Sequence, residues 1–340
     1  MCEEIKKLFE HEAITGEPVY TLAACVAADP RDREPVDDDV EDMYDPVEEI
    51  QERFKQSIYL FDEPMLEFLR FAAELSAKRT AWEDNYTDTP FYTLWINDFL
   101  YLFEDGGQYY LVFPDELAES FRQITEDTAF TDINAKKLEL KSYASALLEL
   151  YGAYEFEQFV TVWNHHHKDK INFDEAMTFL SDYAYFDSNF YFVDDYAVHD
   201  CLDKDEFHEL WKETNEMDYY MPTKSVIREY AEKLHGDIKI SGEKEMDEFL
   251  AEYIENDRLL KYIQSEVLWS CERLESPDEV WEILDGTGIP LDDAAVVEKF
   301  ERLYNNLRGN THIWELRGFT PHQYLNHTGK SVLYLRLPKI

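Results

Sequence analysis

Basic residues are scarce in this chain. Its 340 residues include 32 Lys and Arg against 74 Asp and Glu, a formal net charge of −42. A field of that sign repels phosphate backbones and anionic lipid, so direct nucleic-acid binding is disfavoured. Close cysteine pairs are also missing. Cys2, Cys25, Cys201 and Cys271 are widely scattered, which excludes a CxxC redox motif and a cysteine-rich zinc site and predicts reduced thiols. No run of about 18 apolar residues occurs, and residues 1–10 have no cationic segment followed by an apolar run, so a cytoplasmic protein without a membrane span is expected. Walker, GxGxxG, GxSxG and HExxH signatures are all absent, and with them the commonest phosphate-binding, serine-hydrolase and zinc-protease chemistries. No cofactor is implied.

What the chain does have is core material. It is 45% hydrophobic and 15% aromatic, with 23 Tyr and 22 Phe, far from the composition of a disordered acidic tail. At this length several compact units are expected. The negative field draws basic partners, although a charged coat also serves plain solubility.

Periodicity predicts a mainly α protein with small β-hairpins. Residues 29–46, DPRDREPVDDDVEDMYDP, read as an acidic linker after an N-terminal segment, 1–28, that offers a short helix over 3–11. Within 47–130, Val47, Ile50, Phe54 and Ile58, then Leu66, Leu69, Phe71 and Leu75, recur at helical spacing, with Pro64 in the first turn of the second helix. A short helix around 92–99 leads into YLFEDGGQYYLVF, where glycines between β-prone runs signal a hairpin. Residues 135–215 repeat this plan: helices over 137–150, 155–166 and 173–183, a second hairpin turning at Asp194-Asp195, and a helix at DEFHELW. Helices followed by a two-stranded wing are the outline of a winged-helix unit, so two degenerate copies are expected. From 220 to 340 helices dominate, and the terminal SVLYLRL offers an edge strand.

The segment YNNLRGNTHIWELRGFTPHQYL carries Asn310, Trp314, Leu316, Gly318, Thr320 and Pro321. It resembles a run found in uncharacterised helical proteins of Gram-positive bacteria, which often carry a C-terminal SEC-C metal-binding tail. The pieces LYGAYEFEQFVTVWNHH and DYYMPTKSVIREYA are similar to the middle region of that family. No cysteine follows Cys271, so the tail's ligands are missing here, and the resemblance implies an organisation rather than an activity.

Three clusters bear on chemistry. His165, His166 and His167 are consecutive and fan around a helix axis, so at most two could share a site; the ordinary role is a helix C-terminus where imidazoles complement the dipole. His199, Cys201 and His208 flank an acidic stretch, the residue types of a metal site or of a cysteine nucleophile with a histidine base. A strand end and a helix cap explain the same residues without chemistry. Paired carboxylates such as Asp194-Asp195 and the loop DGTGIPLDD carry little information in so acidic a chain, and the loop lacks EF-hand ligand spacing. Tyr183, Tyr185, Phe186, Phe190, Tyr191 and Phe192 exceed what one face of a hairpin can bury. An exposed Tyr or Trp surface, with Tyr191 and Trp314 as candidates, bordered by carboxylates would suit Lys and Arg.

The reading that follows is a non-enzymatic interaction protein engaging a basic protein partner. The alternatives are a nucleic-acid mimic that inhibits a DNA-binding enzyme, and a metal- or cysteine-dependent enzyme centred on Cys201, His199 and His208.

Overall fold

The computed structural model describes residues 21–29, 46–78, 80–82, 89–105, 107–186, 189–233, 240–272 and 276–329. The expected helix over 3–11, nearly all of the acidic linker and the terminal SVLYLRL lie outside them. Among the described residues the protein is mainly helical, with fifteen α-helices and two small antiparallel sheets. None of these helices is long and apolar enough to cross a membrane. The chain divides into two compact units, Met1–Lys141 with Ser181–Phe186, and Ser142–Leu180 with Asp187–Ile340.

In the first unit, α1 (Leu22–Ala28) is capped by the Thr21 hydroxyl. Helices α2 (Pro46–Ser57), α3 (Glu63–Lys78) and α4 (Thr89–Ile96) follow. Asp62 caps α3, its carboxylate accepting the Met65 N–H at 3.0 Å, and Pro64 sits in the first turn, where no backbone donor is needed. Strands β1 (Tyr101–Asp105) and β2 (Gln108–Val112) pair antiparallel, with Gly107 at φ +83° in the turn. α5 (Asp115–Thr125) completes this plan, and α6 (Phe130–Tyr151) begins here. The core is aromatic: Phe54 lies edge-on to Phe99 at 5.1 Å and tilted against Phe113 at 5.9 Å, while Phe61 meets Phe186 at 5.2 Å. Ile50 and Phe54, one turn apart, place the buried face of α2.

The second unit holds β3 (Ala153–Glu155), α7 (Phe156–His166), most of α8 (Phe173–Phe186), β4 (Phe190–Val193), β5 (Tyr196–His199) and α9 (Lys204–Thr214). The three strands form one sheet in the order β3-β5-β4. Asp194 tolerates φ +52° in the β4–β5 turn, the hairpin predicted at Asp194-Asp195. Strand β3 was not anticipated, because three residues carry no periodicity and their pairing partner is over 40 residues away. The first unit has a parallel feature: after α3, Trp82 bridges Tyr109 of β2, the last strand, as β3 bridges β5.

The remaining helices are α10 (Lys224–Lys233), α11 (Glu243–Ala251), α12 (Asp257–Glu272), α13 (Pro277–Leu284), α14 (Ala294–Asn310) and α15 (Pro321–Thr328). Phe249, Ile263, Val267, Val280, Phe300 and Tyr304 form the common core of α11 to α14. The loop DGTGIPLDD is a connection in which Gly286 and Gly288 take positive φ and Asp293 caps α14. Truncating Phe54 to Ala should cost about 3–5 kcal/mol by urea denaturation, the range for a fully buried aromatic, whereas Phe71→Ala, at a side chain 44% exposed, should cost under about 1 kcal/mol.

Candidate functional site

Beside the β4–β5 hairpin lies a cleft of about 430 Å³ lined by Glu155, Glu157, Val193, Asp194, Asp195, Tyr196, Phe207, His208 and Trp211. Strand geometry builds it. Glu155 and Tyr196 are direct cross-strand partners in the β3–β5 pair, so their side chains rise from the same face. The Tyr196 hydroxyl donates to Glu155 Oε1, and the Trp211 indole N–H donates to the Tyr196 oxygen at 3.2 Å. This chain locks an indole 40% exposed above a row of carboxylates. Phe207 packs on Tyr196 at 5.4 Å from below. Asp203 fixes the start of α9 through a capping box with Glu206, which aims Phe207, His208 and Trp211 toward the hairpin.

The base of the site is ionic. Arg317, 5% exposed, lies 4.1 Å from the centroid of the Tyr219 ring and 3.8 Å from Glu155 Oε1. None of the lining residues is Lys or Arg, so the Glu157, Asp194 and Asp195 carboxylates of the rim face solvent beside exposed aromatic surface. Burial first, and then the Glu155 hydrogen bond, push the Tyr196 hydroxyl up to about 12. Such a surface suits a cation, attracted by the carboxylates and by the indole face.

The residues anticipated from sequence divide between two places. His199, Trp314 and Cys201 come together at the end of β5. The His199 ring lies 5.4 Å from the Trp314 ring and its Nε2 is 3.3 Å from Glu149 Oε1. The Cys201 backbone N–H meets His199 Nδ1 at 3.1 Å, and the Trp314 indole N–H donates to the Glu149 carbonyl at 2.9 Å. His208 does not join this group: it lines the cleft, with Nδ1 bonded to the Lys204 carbonyl. Tyr191 ties the hairpin to the loop before α9 by donating to the Leu202 carbonyl at 2.8 Å. Partial burial, then the charges of Asp200 and Glu149, push the Cys201 thiol up, the reverse of what activates a nucleophile.

His166 and His167 converge on one group, the buried Tyr143 hydroxyl, at 2.9 and 3.0 Å, while His165 stays exposed. His167 also stacks on Trp163 at 3.9 Å. This pair therefore closes the end of α7. The cleft residues Glu155, Glu157 and Trp211 were missed from sequence. The available signal was Tyr196 and Trp211 near Asp194-Asp195, since Glu155 reaches them only through sheet pairing. A comparison with family models, curated proteins and solved structures finds no match to this chain.

Gly152 holds both places in register. It adopts φ +70°, and a Cβ there would sit 2.5 Å from the Trp314 ring. Gly152→Ala should cost about 2–4 kcal/mol in chemical denaturation. In a Trp314→Ala background only the backbone strain remains, so the added cost should fall to about 1 kcal/mol. The Tyr196 hydroxyl gives a second expectation. Its folded value lies above that of a free tyrosine, so the native state holds the proton more tightly and stability falls as pH rises from about 10 to 12. Tyr196→Phe should make that decline shallower in circular-dichroism denaturation series, with no change in slope between pH 7 and 9.

Proposed function

We propose that this chain is a non-enzymatic interaction protein whose wing cleft takes up a Lys or Arg side chain of a basic protein partner. The observation that carries this reading is the cleft itself: Glu157, Asp194 and Asp195 beside the Trp211 and Tyr196 rings, with no Lys or Arg among its lining. Carboxylates steer a cation into the site, and the rings give a flat face for it to stack on.

A winged-helix ancestry fits the same residues. The order helix, strand, helix, helix, strand, strand from α6 to β5, with the first short strand paired to the last, is the plan of such a unit. The Trp82–Tyr109 bridge supports a second, degenerate copy in the first unit. In a helix-turn-helix the second helix meets the nucleic acid. Here that helix, α8, carries Asp174, Glu175 and Asp182 and no Lys or Arg, and the wing tip is Asp194-Asp195. The positions that would meet phosphate have the opposite sign, so the plan favours a basic protein over a polyanion.

Calorimetric titration with a short Lys/Arg-bearing peptide tests the reading, with a neutral peptide of the same length as control. Trp211→Ala, or Glu157→Gln with Asp195→Asn, should weaken binding at least tenfold. Glu67→Gln with Glu298→Gln, an equal charge change at exposed sites elsewhere, should shift it less than twofold. Equal loss in both double variants would reduce the attraction to the general field of the −42 charge and overturn the assignment to the cleft.

A further inference from the structure

The geometry points to a divalent transition-metal site at the end of β5, with His199 Nδ1, an Asp200 carboxylate oxygen and Cys201 Sγ as ligands and Glu149 behind the imidazole. This site is independent of the cleft.

These three donor atoms lie within 4.8 Å of one another. A tetrahedral centre with bonds of about 2.0–2.3 Å holds its donors about 3.3–3.6 Å apart. His199 Nδ1 and Asp200 Oδ1 are already 3.0 Å apart. The adjustment left falls on Cys201, an exposed side chain with one rotatable bond to its sulfur.

The hydrogen bonds around His199 assign its tautomer. Nε2 faces the Glu149 carboxylate at 3.3 Å and so carries the proton, while Nδ1 accepts the Cys201 N–H at 3.1 Å. Nδ1 also lies 3.0 Å from an Asp200 carboxylate oxygen. A metal ion placed beside these two acceptors would be held by both. The Glu149–imidazole contact is the carboxylate–histidine arrangement that orients metal-binding imidazoles, and it leaves the outward nitrogen as the ligand. The Trp314 ring, its indole N–H held by the Glu149 main-chain carbonyl, lies against the His199 imidazole and limits its rotation.

Imidazole, thiolate and carboxylate together select a borderline ion such as zinc or cobalt over the hard calcium and magnesium. On binding, the thiol gives its proton to solvent, the Nδ1 lone pair passes from the Cys201 N–H to the ion, and that N–H turns to water. Three protein ligands leave a fourth position open.

Cobalt(II) titration of the full chain carrying Cys2→Ser, which removes a competing thiol, provides the test. A thiolate-to-cobalt charge-transfer band in the near ultraviolet should saturate at about one ion per chain and be displaced by zinc. Cys201→Ser should abolish the band with the fold intact by circular dichroism. Asp200→Asn and Glu149→Gln should each weaken cobalt binding about tenfold or more. No saturable band, a band that survives Cys201→Ser, or cobalt bound without a thiolate band would overturn the site.

Discussion

The Trp314 indole lies flat over Gly152, and much of the second unit depends on that approach. A Cβ at residue 152 would enter the ring at 2.5 Å, and the positive φ there favours glycine. The same indole donates to the carbonyl of Glu149, in the last turn of α6. Immediately after Gly152 the chain becomes β3, whose three residues pair with β5 and so place the hairpin. The contact repeats in mirror fashion nearby: Gly318, at φ +80°, leaves room for the Tyr151 ring at the corresponding 2.5 Å. Tyr151 donates to the Tyr220 carbonyl at 2.6 Å, and the Tyr220 N–H returns to the Arg317 carbonyl at 3.0 Å. The run from 310 to 321, distinctive in the sequence, is thus a buckle that ties the start of the small sheet to the segment before α10.

How legible was this in the sequence? Helices with a clear apolar stripe were legible, because Ile50 with Phe54 on α2, or Phe300 with Tyr304 on α14, must share a buried face. The hairpin at Asp194-Asp195 was legible from its turn chemistry. Strand β3 was not, since what makes Ala153–Glu155 a strand is a partner more than 40 residues away. The cleft was illegible for a related reason. In a chain with 74 acidic residues no single Glu marks a site, and Glu155 acquires meaning only when β3 sets it opposite Tyr196.

The charge acquires a local meaning once the plan is known. A solvated coat would scatter carboxylates without regard to aromatic neighbours. In the cleft they border a tryptophan and a tyrosine held by a hydrogen-bonded chain, with a buried arginine neutralising Glu155 from behind. That arginine is balanced by the Tyr219 face and one carboxylate, so its burial is compensated on both sides. Glu155 is thereby committed inward, and the outward field comes from Glu157, Asp194 and Asp195. A cationic side chain entering the cleft meets carboxylates not already paired to Arg317.

Strand alternation explains why residues so close in the chain divide into two sites. Along β5, Tyr196 and Val198 project to one face, and Val198 packs with Phe207 and Ala153 there. Ala197 and His199 project to the other face, and His199 meets Glu149, while the Trp314 ring beside it also lies against Ala153, Tyr196 and Phe207. His208 follows Phe207 back to the first face because α9 packs on that side. Sequence proximity grouped His199, Cys201 and His208, but alternation along β5 turns His199 away from Tyr196, while His208 lines the cleft from α9. One strand therefore serves two places: a carboxylate-lined aromatic cleft beside Tyr196 and, at its end, a cluster of nitrogen, oxygen and sulfur donors beginning at His199. Both surfaces hang from β3, and β3 begins where Trp314 requires a glycine.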